Sequence, residues 1–196
     1  ESPPSFPTPP PPPIARSSAV RGRIYFLYAS PLDNDALDIR AELELLQGML
    51  QQGRHSSARP FEVEVEVRLG TAQNLLELVS HGDSANNGCP VFLHFAMHAG
   101  VQASNTSQPF LIMEDESGGS HAVHRDKLLS WFRQTGRSCA VSGVFLNSCH
   151  SEGLGQAFVE VGVPHVICCR GEVSDGTCKS FTKAFYKSLA SGSSVF

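Results

Sequence analysis

The chain has 196 residues, 41% of them hydrophobic, which is enough for one domain with a proper core plus some tail. A formal charge of −4 and a pI near 6.1, with no block of like charge, exclude nucleic acid and an anionic membrane surface as expected partners. No apolar run reaches the roughly 18 to 20 residues of a membrane span, and the amino end lacks the segments of a signal peptide, so a cytoplasmic protein is expected.

Residues 1–22 hold eight of the thirteen prolines, with Pro9 to Pro13 in succession, and read as a disordered polyproline linker. The domain proper is expected over residues 23–196. The chain starts from Glu1 rather than Met and stops at Val195-Phe196 as an apolar run begins, so it reads as a piece of a longer protein, with the domain truncated at its carboxyl end. Other domains of that longer chain are the expected partners.

From Arg23 onward strand and helix patterns alternate, the mark of a parallel sheet covered by crossover helices. Ile24 to Ala29 is the first strand, and Ser30-Pro31 turns the chain. Asp33 or Asn34 then caps a helix whose Ile39, Leu43, Leu46 and Met49 or Leu50 form one buried face. Phe61 to Val67 alternates valine with glutamate, which predicts a sheet edge with its glutamates in water. A short helix through Leu75, Leu76 and Val79 leads to the Asn86-Asn87-Gly88 turn.

The run Val91 to Met97, closed by His98, follows, apolar except at His94, and reads as a strand buried on both faces. Phe110 to Met113 and His121 to Val123 flank Ser117-Gly118-Gly119 in a hairpin pattern. Leu128, Leu129 and Phe132 mark a helix, Val144 to Cys149 a second buried strand, and Leu154, Phe158 and Val161 another helix. Pro164 to Cys169 is the fifth strand of the sheet. Ser174 caps a last helix that points Cys178, Phe181, Phe185 and Leu189 inward and ends at Gly192.

The two buried runs end in reactive groups, His98 and, 51 residues later, Cys149. In open parallel sheets ligands bind beyond the carboxyl ends of the strands, so both groups arrive at one rim. A histidine beside a cysteine favours the thiolate and can later protonate a leaving amine. The backbone N–H of Cys149, with that of Ala99 or Gly100, is placed to face a developing oxyanion. His94 points to the same face but four residues deeper, and reads as a core histidine hydrogen-bonded to its neighbours. His150 reads as a solvated or substrate-side residue.

The six cysteines read as reduced thiols, because Cys168-Cys169 are adjacent in an apolar strand and Cys149 and Cys178 lie in element-forming context. No C-x-x-C pair occurs, and His94 and His98 are spaced i, i+4 in strand rather than helix, so no metal site is expected. Asn105-Thr106-Ser107 fits a glycosylation pattern without weight in a cytosolic protein. A flavodoxin-type ligand domain needs a glycine-rich loop after the first strand, which Ser30-Pro31-Leu32-Asp33 does not supply, and no cofactor is expected.

Several ordered segments resemble the CHAT domain, a caspase-like cysteine peptidase module of the group that includes caspases and separases. They are Tyr25 to Leu32, Leu93 to Gly100, Leu111 to Glu116, Phe145 to Glu152, Val173-Ser174-Asp175 and Ala184 to Val195. The resemblance implies an α/β fold, a caspase-like three-layer sandwich with a mainly parallel sheet, helices on both faces and a small β-hairpin insertion. It implies His98 as the family histidine and Cys149 as the family nucleophile of a Cys-His dyad cleaving peptide bonds in a protein or peptide substrate. It places Asp175 near the pocket that reads the residue before the scissile bond, although an acid in a first helical turn also suits the macrodipole. The family usually has glycine on both sides of the histidine; here Met97 and Ala99 stand there. A positive φ after the histidine would be strained by alanine, with Gly100 as the alternative turn residue. The competing expectation is therefore an inactive interaction or signalling module of a larger protein.

Overall fold

Strands buried on both faces need helices above and below them, and the structure supplies both layers. The computed structural model describes residues 21–56, 62–86, 89–101, 108–134 and 141–191. Expectations drawn on the proline-rich segment up to residue 20, on Asn105-Thr106-Ser107, on Asn87-Gly88 and on Gly192 lie outside the described residues.

The elements run β1 (Arg21–Tyr28), α1 (Ile39–Ser56), β2 (Glu62–Leu69), α2 (Ala72–Asn86), β3 (Val91–Ala96), β4 (Ala99–Val101), β5 (Pro109–Glu114) and β6 (Ser120–His124). They continue α3 (Arg125–Gln134), β7 (Val141–Leu146), α4 (Glu152–Glu160), β8 (His165–Ile167) and α5 (Asp175–Ala190). Five strands form a parallel sheet in the order β2-β1-β3-β7-β8. The alternating glutamate strand, β2, takes an edge as expected, with Val63 buried and Glu64 outward on Arg23 at 2.8 Å.

Side chains of successive strand residues go to opposite faces, and two cores result. Tyr25, Leu27, Leu93, Phe95, Val144 and Leu146 pack with Leu75 of α2, Leu128 and Phe132 of α3, and Leu154 and Phe158 of α4. Ile24, Phe26 and Phe92 pack on the other face with Leu46, Met49 and Leu50 of α1 and Tyr186 and Ala190 of α5. This is the α/β three-layer arrangement expected, and β3, buried at all six positions, lies at the centre of its sheet. Among the described residues no helix is long and apolar enough to cross a membrane.

The hairpin insertion is β5 and β6, joined at Asp115, whose Oδ1 accepts the Ser117 N–H at 2.8 Å and the Gly119 N–H at 2.9 Å. Gly118 takes φ 80° there, a left-handed conformation that a residue without Cβ adopts freely. The hairpin gains a third strand not foreseen in the sequence, β4, which pairs antiparallel with β5. The Glu114 N–H donates to Gly70 O at 3.0 Å and fastens the insertion to the main sheet.

Two local expectations are corrected. Asp38, not Asp33 or Asn34, caps α1, its Oδ1 accepting the Ala41 N–H at 3.2 Å. Asp33 and Asn34 instead bind Ser120 of the hairpin, a long-range use of short polar side chains that local spacing does not reveal. On α5, Ser174 is the cap as expected, its Oγ accepting the Thr177 N–H at 3.4 Å. Phe185 and Leu189 pack against the core as expected, but the fully buried residues of that helix are Thr182, Tyr186 and Ala190, and Phe181 is 52% exposed. The helix is turned because the Tyr186 phenol reaches a polar partner beneath it.

Candidate active site

The chain leaves the sheet from β3 at Met97 and His98 before entering β4, and from β7 at Asn147, Ser148 and Cys149 before α4. These strands are parallel neighbours in the register Phe95↔Leu146, so their carboxyl ends open at one rim. Two hydrogen bonds tie the exits together. The Asn147 N–H donates to Phe95 O at 3.1 Å, and the buried Ser148 hydroxyl donates to Met97 O. His98 and Cys149 consequently line one cleft of about 190 Å³.

The His98 Nε2 lies 2.8 Å from the backbone oxygen of Asp35. A carbonyl only accepts, so Nε2 carries the proton and, in the neutral ring, Nδ1 is the basic nitrogen. The Cys149 thiol donates to Val173 O at 3.7 Å. Directly after it, His150 takes φ 53° in the left-handed region, an uncommon state for a residue with Cβ and one that concentrates at functional turns. This conformation turns the chain sharply from β7 toward α4. The His150 ring itself is about half exposed, with Nε2 3.8 Å from Glu172.

The backbone around His98 differs from the turn considered in the sequence. Among the described residues His150 alone has positive φ without being glycine, and neither Ala99 nor Gly100 lies in that region. Both sit in β4, where alanine carries no strain. Ile112 donates to His98 O, so the 98/112 and 100/110 pairs are the hydrogen-bonded ones of the antiparallel ladder and the 99/111 pair is not. The Gly100 N–H is thereby directed at Phe110, and the Ala99 N–H away from β5. Asp175 opens α5, and its side chain lies outside the described residues.

Walls of the cleft that sequence reading missed come from the two helices over the other face. Asp38 at the cap of α1, Glu42 of α1, Asn147, and Cys178 and Lys179 of α5 all line it. The Lys179 ammonium is 3.3 Å from Asp38. The Ala41 N–H, and after it Lys179, hold the Asp38 carboxyl below the usual carboxylate range. Glu42 is a hub: its Oε1 accepts from Asn147 Nδ2 at 2.6 Å and meets His94 Nε2 at 2.6 Å.

His94 is fully buried, stacked between Phe26 (4.8 Å between ring centroids) and Phe145 (4.9 Å), and its Nδ1 meets the Tyr186 hydroxyl at 2.7 Å. Burial, and secondarily the Glu42 charge, push the Tyr186 phenol well above its ordinary value, so it keeps its proton. One neutral tautomer then satisfies the chain: Tyr186 donates to Nδ1, and Nε2–H donates to Glu42. His94 is the hydrogen-bonded core histidine expected from its depth. The visible signal for Glu42 was its place in the first turn of α1, which also suits the helix dipole and so did not single it out.

A doubly covered parallel sheet with cysteine and histidine at adjacent strand ends defines a class of α/β proteins. The sequence model of the CHAT domain matches residues 14–195, and the chain belongs to that family, with its caspase-like fold. No curated protein matches it. Among solved structures, Raptor from Chaetomium thermophilum is similar with a TM-score of 0.48 and 9% identity over 84% of this chain. A secreted C11 cysteine protease from Bacteroides thetaiotaomicron, solved with an irreversible peptide inhibitor, gives 0.47 and 10% over 86%. An NAD(P)H:quinone oxidoreductase from Methanothermobacter marburgensis gives 0.35 and 14% over 87% of this chain and 94% of its own. The chain spans 17% of the length of the Raptor structure and 58% of the C11 protease.

Proposed function

We propose that the chain is a cysteine-type endopeptidase domain that hydrolyses peptide bonds of protein substrates through Cys149 and His98. The observation that supports this is the shared cleft, lined by a thiol and an imidazole from the ends of neighbouring strands, with Nε2 of the imidazole oriented by a backbone carbonyl. In this reading His98 Nδ1 takes the proton of Cys149 as its sulfur attacks the scissile carbonyl. The N–H groups of Ala99 and Cys149 bind the oxyanion, His98 returns the proton to the leaving amine, and water then hydrolyses the thioester. Asp175 and the acids of α1 border the substrate side chain. The domain acts in the cytoplasm as part of a longer chain, without metal or cofactor, membrane or nucleic acid.

The test is the pH dependence of Cys149 alkylation, followed by peptide mass mapping in wild type and His98→Ala, with a peptide library to read cleavage. The proposal requires Cys149 to be alkylated faster than the other thiols near neutral pH and to lose that advantage without His98. Cleavage should fall by about 10² or more in His98→Ala and vanish in Cys149→Ala. Retained turnover in either variant would sink it.

One observation favours the second reading, a non-catalytic interaction module: here the thiol is engaged by Val173 O and the imidazole by Asp35 O. A module of that kind would show Cys149 reacting no faster than Cys168 or Cys169. It would also keep partner binding in Cys149→Ala.

A further inference from the structure

Beside the Cys149 cleft lies a second, mostly apolar cleft of about 250 Å³, lined by Cys168, Cys169, Val173, Cys178 and Phe181 among others. Val173 and Cys178 belong to both clefts, so they form the wall between them. Cys169 stands at the exit of β8, held by its N–H on Ser151 Oγ at 3.0 Å and by its carbonyl, which accepts the Glu152 N–H at 3.1 Å. Cys178 stands in the first turn of α5, its N–H on Ser174 O at 3.0 Å. Cys169 and Cys178 line this cleft together, one from the exit of β8 and one from the first turn of α5, and both are free and partly exposed. Among the described residues no three His, Cys, Asp or Glu side chains are grouped to hold a metal ion. The thiol pair therefore calls for a chemistry of its own.

We propose that Cys169 and Cys178 are an oxidative modification site, closing to a disulfide under peroxide and opening under a thiol reductant. Cys178, which reaches both clefts, attacks hydrogen peroxide and becomes a sulfenic acid as hydroxide leaves. The Cys169 sulfur then attacks the Cys178 sulfur and displaces that oxygen as water. Two thiols lose two electrons and two protons, and one peroxide becomes two waters. Burial, with Cys149 nearby, pushes the Cys169 thiol up, which suits it to the second step rather than the first. The sulfurs must close to about 2.05 Å, and the partly exposed connection 170–174 supplies the movement. Crosslinking pulls Cys178 and the start of α5 toward β8, away from the wall that carries Val173 against Cys149. The crosslink goes beyond the peptidase reading; its effect on Cys149 rests on that reading.

The experiment treats the whole chain with graded hydrogen peroxide, blocks remaining thiols with N-ethylmaleimide and digests without reductant. Trypsin with a glutamyl endopeptidase puts Cys139 with Cys149, the Cys168-Cys169 pair, and Cys178 on three separate peptides, 138–152, 161–170 and 173–179. The expected result is a linked 161–170/173–179 species that forms equally in Cys149→Ala and Cys168→Ser, disappears in Cys169→Ser, and is reversed by dithiothreitol. Cys149 alkylation should quicken with its formation, as the Val173 contact loosens, and fall back on reduction. A crosslink from 138–152, a crosslink lost in Cys168→Ser, or oxidation of Cys178 to sulfinic acid without a linked species would overturn the assignment. Because the linkage is read by mass alone, its failure is distinguishable from the failure of the peptidase reading.

Discussion

Glu42→Ala removes one carboxylate oxygen from two donors, and its cost follows from where those donors sit. Glu42 has 14% of its side chain exposed, and its partner His94 has none. Without the carboxylate, the His94 N–H that it accepts at 2.6 Å loses its partner, on a fully buried ring stacked between Phe26 and Phe145. An unsatisfied buried donor costs about 1–3 kcal/mol, and the Asn147 amide, on the wall of an open cleft, loses about 1 kcal/mol net because water replaces the acceptor. The sum is about 3 kcal/mol. For a domain of this size that corresponds to a fall in Tm of about 6–12 °C. Urea unfolding followed by far-UV circular dichroism measures it, and Tyr186→Phe, which deprives the other ring nitrogen of its donor, completes a double-mutant cycle. The two changes act on one imidazole, so their effects should be non-additive by at least about 0.5 kcal/mol. A Glu42→Ala variant within about 0.5 kcal/mol of wild type would refute the relay, because only a solvated histidine would be so indifferent to losing its acceptor.

Two further outcomes are open to measurement. On α1, Gly53→Ala would place its Cβ 2.2 Å from the Ala190 Cβ and 2.7 Å from Ala190 backbone atoms, so α5 must shift and stability should fall by about 1–3 kcal/mol. Gly48→Ala on the same helix meets nothing within 4 Å and should gain about 0.5–1 kcal/mol; equal effects from the two in parallel melts would contradict the helix contact. The Ser117 hydroxyl, then the Gly119 and Ser117 N–H groups, hold the Asp115 carboxyl below the aspartate range. A depressed folded pKa stabilises the hairpin above about pH 4 and loses that contribution as pH falls through the folded value. Carboxyl NMR titration should find Asp115 below about 3.9. A midpoint at or above that value would refute the turn geometry.

What could be read in the sequence is what one continuous run determines. Val91 to Ala96, but for His94, and Val144 to Leu146 are apolar on both faces, so their burial, their parallel neighbours and the arrival of His98 and Cys149 at one rim all follow from local pattern. The glutamates of β2 announced an edge for the same reason. The three-residue strand β4 was invisible because so short a run has no period, and with it the placement of Ala99 in a ladder rather than a turn. The side walls were hidden more deeply. Glu42 meets His94 across 52 positions and Tyr186 meets it across 92, and only the sheet order, with α1 and α5 over the same face, brings the three together. The rotation of α5 belongs to this group: periodicity points Phe181, Phe185 and Leu189 inward, whereas the stripe is centred on Thr182, Tyr186 and Ala190, with Phe185 and Leu189 at its margin. The helix turns this way because a buried imidazole requires a partner that phenylalanine cannot supply. The polar pair beneath the cleft thus sets the orientation of the helix that carries Cys178 and Lys179 to its wall.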